Sequence, residues 1–434
     1  MGAKAAVKKL LPTSLFKSIE PAGHLVEAFV YQTINGFPAK GLKIIGVTGT
    51  NGKTSTTFMI HRMLHEAGYK VGLMSTVAYG VGDDIRPQIH HMTNVPVPEL
   101  MQRLKWMKAQ GAEWLVLETT SHALAQNRVW GVPYSVAVMT NVTHEHLDYH
   151  GTFERYLAAK VKLFELANKN KKGLQAGIIN ADDPNADAFA RAITHPVTYS
   201  TKQGDLVARD IKLTSGGSRY TVKTFDQELH IQCHLPGSFN IHNSLAAVGV
   251  GLAVGLNKEQ IEKGIAALKR VEGRMDPIIE GQDFDVIVDF AHTPDSFEKL
   301  FEDLKPVVKG KLIVAFGSAG RRDETKRAIQ GKLAGEYADM VIVTEEDDRD
   351  IDGNEIMGMI AGGAEEAGKV RDKDLFLILD RPTAIQFAID QAKPGDTVLL
   401  LGKGHEKTIE RADGEHEWDE IGTAHAALKQ RLGK

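Results

Sequence analysis

The chain has 434 residues, enough for two or three domains of ordinary size. Lys+Arg number 52 against Asp+Glu 56, and the resulting net charge of −4 gives no global attraction to nucleic acid or to an anionic membrane. The single cysteine, Cys233, excludes an intrachain disulfide and a cysteine-based zinc site, and no apolar run approaches the roughly 18 residues of a membrane span.

Lys4, Lys8 and Lys9 lie near the N-terminus, but the long apolar core and small-residue cleavage site of a secretory signal are missing, so a cytoplasmic protein is expected. Residues 1–41 read as short helical pieces interrupted by Pro12, Pro21 and Pro38. From Leu42 the pattern becomes strand, loop, helix. An apolar strand at Leu42–Val47 precedes a helix over Thr54–Ala67, with Phe58, Met59, Met63 and Leu64 as its apolar residues, and a strand at Tyr69–Met74. A helix at Pro98–Gln110, strands at Trp114–Leu117 and Val136–Met139, and a helix at Phe153–Ala167 continue the series. Such alternation predicts an α/β domain with a mostly parallel sheet.

Residues 204–235 change character, because alternating stretches such as Tyr220–Phe225 and Leu229–Cys233 suggest a small antiparallel patch. Helices return at His242–Val254 and Lys258–Lys269. A second strand–helix series then places strands at Val286–Phe290, Leu312–Phe316, Met340–Thr344, Leu375–Leu379 and Thr397–Leu401. The expected division is a short helical segment over 1–41, a central domain over 42–271 and a C-terminal domain over 272–434.

The first strand runs into Gly46-Val47-Thr48-Gly49-Thr50-Asn51-Gly52-Lys53-Thr54-Ser55, and a helix follows at once. That is the setting of a phosphate-binding loop. Backbone N–H groups and a helix N-terminus receive phosphates, glycines let the backbone approach, lysine neutralises charge and the threonine hydroxyl reaches Mg2+. The common G-x-x-x-x-G-K-[ST] pattern is not met strictly, since Val47 stands where its first glycine belongs. The loop predicts nucleotide binding without saying which reaction.

Glu118 follows the strand Trp114–Leu117, at the sheet edge where ligands gather, and its carboxylate suits Mg2+. Taken alone it reads as a surface loop acid. Thr140-Asn141-Val142-Thr143-His144-Glu145-His146-Leu147-Asp148-Tyr149-His150 is denser in histidines and acids and reads as a metal site or as a polar loop capping the next helix. Zinc is the competing ion, but a neighbouring ATP site favours magnesium.

G-T-N-G-K-T resembles the loop of the Mur ligases and folylpolyglutamate synthases, which bind ATP to activate a carboxylate. Thr140–His150 resembles the Mur ligase signature T-N-x-x-x-D-H-L-D-x-H, with Glu145 in place of the usual Asp. The resemblance implies that His146 binds a second Mg2+ and that Lys160 matches the family lysine that becomes carbamylated. The sequence alone reads Lys160 as a solvated helix lysine. Pro236–Ala247 resembles G-x-F-N-x-x-N-x-x-A-A, which puts Asn243 at adenine. Gly273-Arg274-Met275 and Asp289-Phe290-Ala291-His292-Thr293-Pro294-Asp295-Ser296 resemble two further family motifs. They imply Asp289 on the ATP ribose, Arg274 on phosphate and His292 lining the nucleotide cleft. Leu401-Gly402-Lys403-Gly404-His405-Glu406 resembles the branch of UDP-N-acetylmuramyl-tripeptide synthetases, which add the third amino acid of the stem peptide. That branch implies Gly402 and Glu406 at the incoming amino acid, and Ser121 and Arg128 at the muramyl-peptide substrate. The implied fold is a P-loop ATPase-type central domain with a mostly parallel sheet, followed by a Rossmann-like C-terminal domain.

Three departures from the family stand out. Only 41 residues precede Leu42, where the family normally carries a UDP-holding domain. The family's D-N-P-R appears as Glu346-Asp347-Asp348-Arg349. Arg349 suits a substrate carboxylate and the acids an amine-bearing side chain, yet Glu345–Asp350 reads equally as a solvated loop. The family's glycine-rich G-x-G-G-D-R-D appears as Gly317-Ser318-Ala319-Gly320-Arg321-Arg322-Asp323. The implied enzyme is a monomer using ATP and Mg2+ to join a muramyl-peptide precursor and an amino acid through an acyl phosphate, its domains closing during turnover. The rivals are a folylpolyglutamate-synthase-like ligase and a nucleotide-binding scaffold without ligase activity. A lipid-linked-muropeptide amidating ligase usually carries four zinc-binding cysteines, which this chain lacks.

Overall fold

The run Lys43–Thr48 is buried over its last five residues, as a strand covered on both faces requires. In the computed structural model, which describes residues 13–88, 93–143, 145–214, 216–224 and 227–434, this strand (β1) is the centre of a large sheet. Lys4, Lys8, Lys9, Pro12, His144 and Phe225 lie outside the described residues. The chain divides into two compact units. The first runs to Lys212 and adds Arg219–Cys233 and Asn240–Leu268; the second comprises Leu213–Ser218, His234–Phe239 and Lys269–Lys434.

The strands of the first sheet are β1, β2 (Val71–Met74), β3 (Ala78–Val81), β4 (Asp84–Pro87), β5 (Trp114–Glu118), β6 (Tyr134–Met139), β7 (Ala176–Asn180), β8 (His195–Ser200), β9 (Leu206–Thr214), β10 (Gly217–Lys223) and β11 (Glu228–Cys233). Their order is β11-β10-β9-β8-β7-β6-β1-β5-β2-β3-β4. From β9 to β2 every neighbouring pair is parallel. Only the β2–β3–β4 edge is antiparallel among the pairs whose register is defined. The stretch expected as a small antiparallel patch forms β9–β11 at the other edge of the same sheet. The helix Phe153–Lys169 starts at Thr152, whose hydroxyl accepts from the Arg155 N–H. It buries Tyr156, Leu163, Phe164 and Ala167 in the core that holds Ile44, Leu115 and Tyr134.

Residues expected as helical pieces form one helix, Thr13–Ile34, that continues through Pro21. Proline inside a helix removes a donor. Here Asn127 Nδ2 donates to the Pro21 carbonyl at 3.1 Å, and Gln32 Nε2 donates to the Trp130 carbonyl at 3.1 Å, so tertiary bonds hold the helix at the proline and beyond it.

The main sheet of the second unit has six strands: β12 (Asp276–Pro277), β13 (Asp285–Asp289), β14 (Leu312–Phe316), β15 (Met340–Val343), β16 (Leu375–Leu377) and β17 (Thr397–Leu401), in the order β12-β13-β17-β14-β15-β16. All but β12 run parallel. Alternate β17 residues enter different cores, Leu399 and Leu401 on one face and Val398 and Leu400 on the other, as in a doubly covered Rossmann-like sheet. A hairpin of β18 (Thr408–Arg411) and β19 (Gly414–Glu417) follows.

Arg381, fully buried at the start of the helix Arg381–Gln391, donates to both Glu420 oxygens at 2.8 and 2.6 Å and to the carbonyls of Glu345 and Leu401. Glu420→Ala leaves that guanidinium buried without its counter-charge and should lower stability by about 3–5 kcal/mol. Urea unfolding followed by Trp418 fluorescence checks this, since the Trp418 indole N–H also donates to Glu420. Arg381→Met combined with Glu420→Leu should lose far less.

Candidate active site

Gly49–Gly52 link β1 to the helix Lys53–Glu66, and Gly52, with φ 81°, sits at its N-cap with no side chain bonded to the first turn. A helix N-terminus that begins at a glycine is suited to receive an anion. The loop is clasped by the segment after β6. Thr50 N–H donates to the Asn141 carbonyl at 2.8 Å and Asn51 N–H to Asn141 Oδ1 at 2.9 Å. The Thr140 hydroxyl and the Asn141 amide both donate to the Asn51 carbonyl, at 2.7 and 3.0 Å. The clasp is itself fixed from β7 and the turn after it, by Asn180 Nδ2 on the Thr140 carbonyl and by Asp183 Oδ2 accepting from Val142 N–H. A Cβ at Gly49 would fall 1.8 Å from Thr140 Oγ1, so only glycine permits this approach.

Around the loop stand the residues expected for phosphate and metal. Lys53 Nζ donates to the carbonyls of Gly49 and Thr50 at 3.1 and 2.7 Å. Lys160 Nζ donates to the same Gly49 carbonyl. Lys160 is 2% exposed, not solvated, and burial followed by the charge of Lys53 pulls its pKa well below the ordinary lysine value. Thr54 Oγ1 donates to Glu118 Oε2 at 3.1 Å, and Thr76 donates to both Glu118 oxygens at 3.0 Å through its N–H and hydroxyl. Glu118 is buried at the end of β5 rather than lying on a surface loop. Ser55 is buried in the first turn, and Asn243 lies beside Gly52 with its Oδ1 accepting from Thr56 Oγ1 at 3.2 Å.

His146 has φ 56° and is partly exposed, its Nε2 3.6 Å from Glu145 and its ring 4.6 Å from that of His122. Burial, then the neighbouring His146 and His150, drives the His122 pKa down to about 3, so it is neutral at physiological pH. Tyr156 bridges these groups to the loop. Its ring is 6.3 Å from His146 and 4.5 Å from Lys160 Nζ, and its hydroxyl is 2.9 Å from Thr50 Oγ1. Ser121 Oγ lies 3.1 Å from His150 Nε2, and Arg128 donates to the Asn94 carbonyl. Asn94 also donates to the Glu118 carbonyl and accepts from Thr120. Sequence reasoning missed Thr76, Asn94 and Tyr156, because no local pattern marks a lone polar residue whose partner is distant.

In the second unit Asp289 closes β13 and accepts from the N–H groups of Met275 and Ala291 at 2.6 and 2.7 Å, with burial pushing its pKa up. Arg274 lies over the Phe290 ring at 4.5 Å, and the Phe290 ring is 4.6 Å from His292. Gly402 follows β17, where a Cβ would meet Glu346 Oε2 at 2.6 Å. Lys403, fully buried, pairs with Asp347 at 2.8 Å and with Glu406 at 2.7 Å. Glu345–Asp348 form no solvated loop, since all four are buried. Glu345 is paired with Arg411, and burial raises the Asp348 pKa to about 6. Arg349 is not presented as a free guanidinium, because it is bonded to Glu410 and to the Gly320 carbonyl.

The oxygen donors Thr54 and Glu118 beside an uncapped helix start fit Mg2+, which completes its shell with water and phosphate oxygens. Among the described residues no three His, Cys, Asp or Glu side chains gather as a metal-holding group.

Two family models match. The Mur ligase middle domain covers residues 47–251, and the Mur ligase glutamate ligase domain covers residues 273–404. The chain belongs to the Mur ligase family. Its relatives include a UDP-N-acetylmuramyl-tripeptide synthetase of Roseiflexus sp., 42% identical over 91% of this chain and 80% of that protein. Another is a UDP-N-acetylmuramoyl-L-alanyl-D-glutamate–2,6-diaminopimelate ligase of Geobacillus thermodenitrificans, 38% identical over 95% of this chain and 84% of that protein. A solved ligase of the latter kind superposes with a TM-score of 0.64 at 29% identity, over 95% of this chain and 83% of that one. A folylpolyglutamate synthase of Mycobacterium tuberculosis reaches 0.73 at 16% identity, covering 94% of this chain and 95% of that one, which is a likeness of fold. This Mur ligase is accordingly an ATP-dependent, amide-forming enzyme.

Gly52→Ala would place a Cβ 2.3 Å from Asn243 Oδ1 at a positive φ. It should weaken ATP binding about tenfold or more while leaving the global fold in place, as read by nucleotide titration and circular dichroism.

Proposed function

We propose that this Mur ligase adds the third residue of the stem peptide, diaminopimelate or lysine in type, to a muramyl-dipeptide precursor in peptidoglycan synthesis. The observation that carries the reading is the convergence of Lys53, Lys160 and the Thr54–Glu118 pair on one clasped loop. The names of the relatives supply the substrate class.

In the first step a carboxylate oxygen of the dipeptide attacks the γ-phosphorus of ATP. The bond to the β-phosphate oxygen breaks, and ADP leaves an acyl phosphate behind. In the second step the amine of the amino acid attacks the acyl carbon, loses a proton, and expels phosphate as the amide forms. Lys53 and the helix N-terminus neutralise charge on the transferring group, where positioning and electrostatics do most of the catalysis. Thr54 and Glu118, with His146 at a second site, would hold Mg2+, which when bound would supply further charge neutralisation. Lys160, whose charged form burial disfavours, would in its neutral form be a nucleophile for CO2. The N–C bond forms, a proton leaves, and the resulting carbamate anion balances Lys53 and offers oxygen to the metal.

Asn243 serves adenine, Asp289 ribose, Arg274 phosphate, and His292 lines the nucleotide cleft. Ser121 and Arg128 face the muramyl peptide, and Gly402 and Glu406 the amino acid. Arg349 meets a substrate carboxylate only on releasing Glu410. We take residues 42–271 as the central ATP-binding domain and 272–434 as a C-terminal Rossmann-like domain that adds further ATP contacts and the amino-acid residues. The reaction is placed in the cytoplasm and assigned to a monomer; among the described residues no helix is long and apolar enough to cross a membrane.

Phosphate release from ATP with UDP-N-acetylmuramyl-dipeptide, Mg2+ and a panel of amino acids, including meso-diaminopimelate and L-lysine, should respond to one amino acid. In Lys53→Ala it should fall by about a hundredfold or more. Release with none of them, or a fully active Lys53→Ala enzyme, rejects the assignment. With 13C-bicarbonate, a carbamate carbon resonance should appear in the native enzyme and vanish in Lys160→Ala.

A further inference from the structure

The four consecutive acids that follow β15 are buried, and a buried carboxylate needs a cation or a donor to offset the loss of water. Arg411 donates to both Glu345 oxygens, at 2.9 and 2.7 Å, and Lys403 pairs with Asp347 at 2.8 Å. Glu346 differs. It is 6% exposed, and its Oε2 has no hydrogen-bond partner among the described residues. That oxygen lies against Gly402, where an added Cβ would fall 2.6 Å away. Lys326 and Lys403, whose charges act on Glu346, are bonded elsewhere, Lys326 to the His292 carbonyl at 3.0 Å and Lys403 to Asp347 and Glu406. An unanswered carboxylate at the C-terminal edge of a parallel sheet, where ligands gather, calls for an ammonium from outside the chain.

The guanidinium beside these acids is not open to a carboxylate. Arg349 donates from Nε to the Glu410 carboxylate and from Nη1 to the Gly320 carbonyl. The β18–β19 hairpin that carries Glu410 is fastened to the same acidic segment through its backbone. Arg349 N–H donates to the Glu410 carbonyl at 2.9 Å, and Glu410 N–H donates to Asp347 Oδ1 at 3.0 Å. A ligand carboxylate arriving at Arg349 therefore meets a guanidinium already neutralised. Displacing Glu410 leaves that acid beside the newcomer, so the exchange replaces one ion pair by another and adds repulsion.

We propose that Glu410 sets the amino-acid specificity of this ligase by occupying Arg349 in place of a substrate carboxylate. The amino acid taken has a side-chain ammonium, received by Glu346, and no second carboxylate, as in L-lysine or L-ornithine and unlike meso-diaminopimelate. The inference deepens the ligase reading and rests on it. The test is phosphate release from ATP with UDP-N-acetylmuramyl-dipeptide and Mg2+, comparing kcat/KM for L-lysine, L-ornithine and meso-diaminopimelate. The native enzyme should favour L-lysine or L-ornithine by about a hundredfold or more. Glu410→Gln should raise kcat/KM for meso-diaminopimelate relative to L-lysine about tenfold, through KM. Adding Arg349→Met should abolish that gain, because the guanidinium freed for the second carboxylate is gone. Glu346→Gln should raise the KM for L-lysine about tenfold while the KM for ATP holds. A native preference for meso-diaminopimelate, or a Glu410→Gln enzyme with the native ratio, overturns the inference and leaves the ligase reading standing. No phosphate release with any amino acid defeats both.

Discussion

The clasp of Thr140 and Asn141 on Thr50 and Asn51 fixes where everything else in the first unit's site can stand. It uses up backbone groups in the middle of the loop and sets Gly52, which has no side chain to cap it, at the start of the helix Lys53–Glu66. Because the Gly49 carbonyl is turned toward the helix Phe153–Lys169, two lysine amines, Lys53 and Lys160, meet at one acceptor. Burial, and then the opposing charge of Lys53, disfavour the charged form of Lys160. Phosphate cradle, cationic neutraliser and a lysine disposed to lose its proton thus follow from one loop geometry.

The same economy holds on the carboxylate side. Glu118 accepts from Thr54 and Thr76, and its own carbonyl accepts from Asn94, which also anchors Thr120 and Arg128. A shift at Asn94 would therefore be felt at the metal-facing carboxylate and at the expected muramyl-peptide contacts together. In the second unit the buried acids Glu345–Asp348 are held by cations far away in sequence, Arg411 for Glu345 and Lys403 for Asp347.

What the sequence disclosed and what it hid divide along a physical line. Strands such as Leu312–Phe316 and Thr397–Leu401 were legible to the residue because they are apolar runs buried on both faces. The phosphate loop was legible because its chemistry needs glycines and Lys-Thr at fixed spacing. The β3–β4 hairpin was not, since Asp84–Pro87 carries no buried residue and so no hydrophobic period. The burial of Lys160 was invisible in a helix that also carries Glu154, Arg155, Lys162 and Glu165, because it depends on which face the tertiary structure covers. Thr76 and Asn94 were hidden for a related reason, as their Glu118 contacts span 42 and 24 residues. Continuity of the helix Thr13–Ile34 through Pro21 likewise comes from tertiary bonds that local propensity does not register.

The central claim is that the clasped loop activates a carboxylate by moving the γ-phosphoryl group onto it. The most direct measurement is to supply muramyl dipeptide labelled with 18O in its free carboxylate, together with ATP, Mg2+ and the active amino acid, and to examine the products by mass spectrometry. The account predicts one 18O in the released phosphate for each amide formed, with ADP unlabelled. Unlabelled phosphate alongside amide formation, or label appearing in AMP, would contradict it.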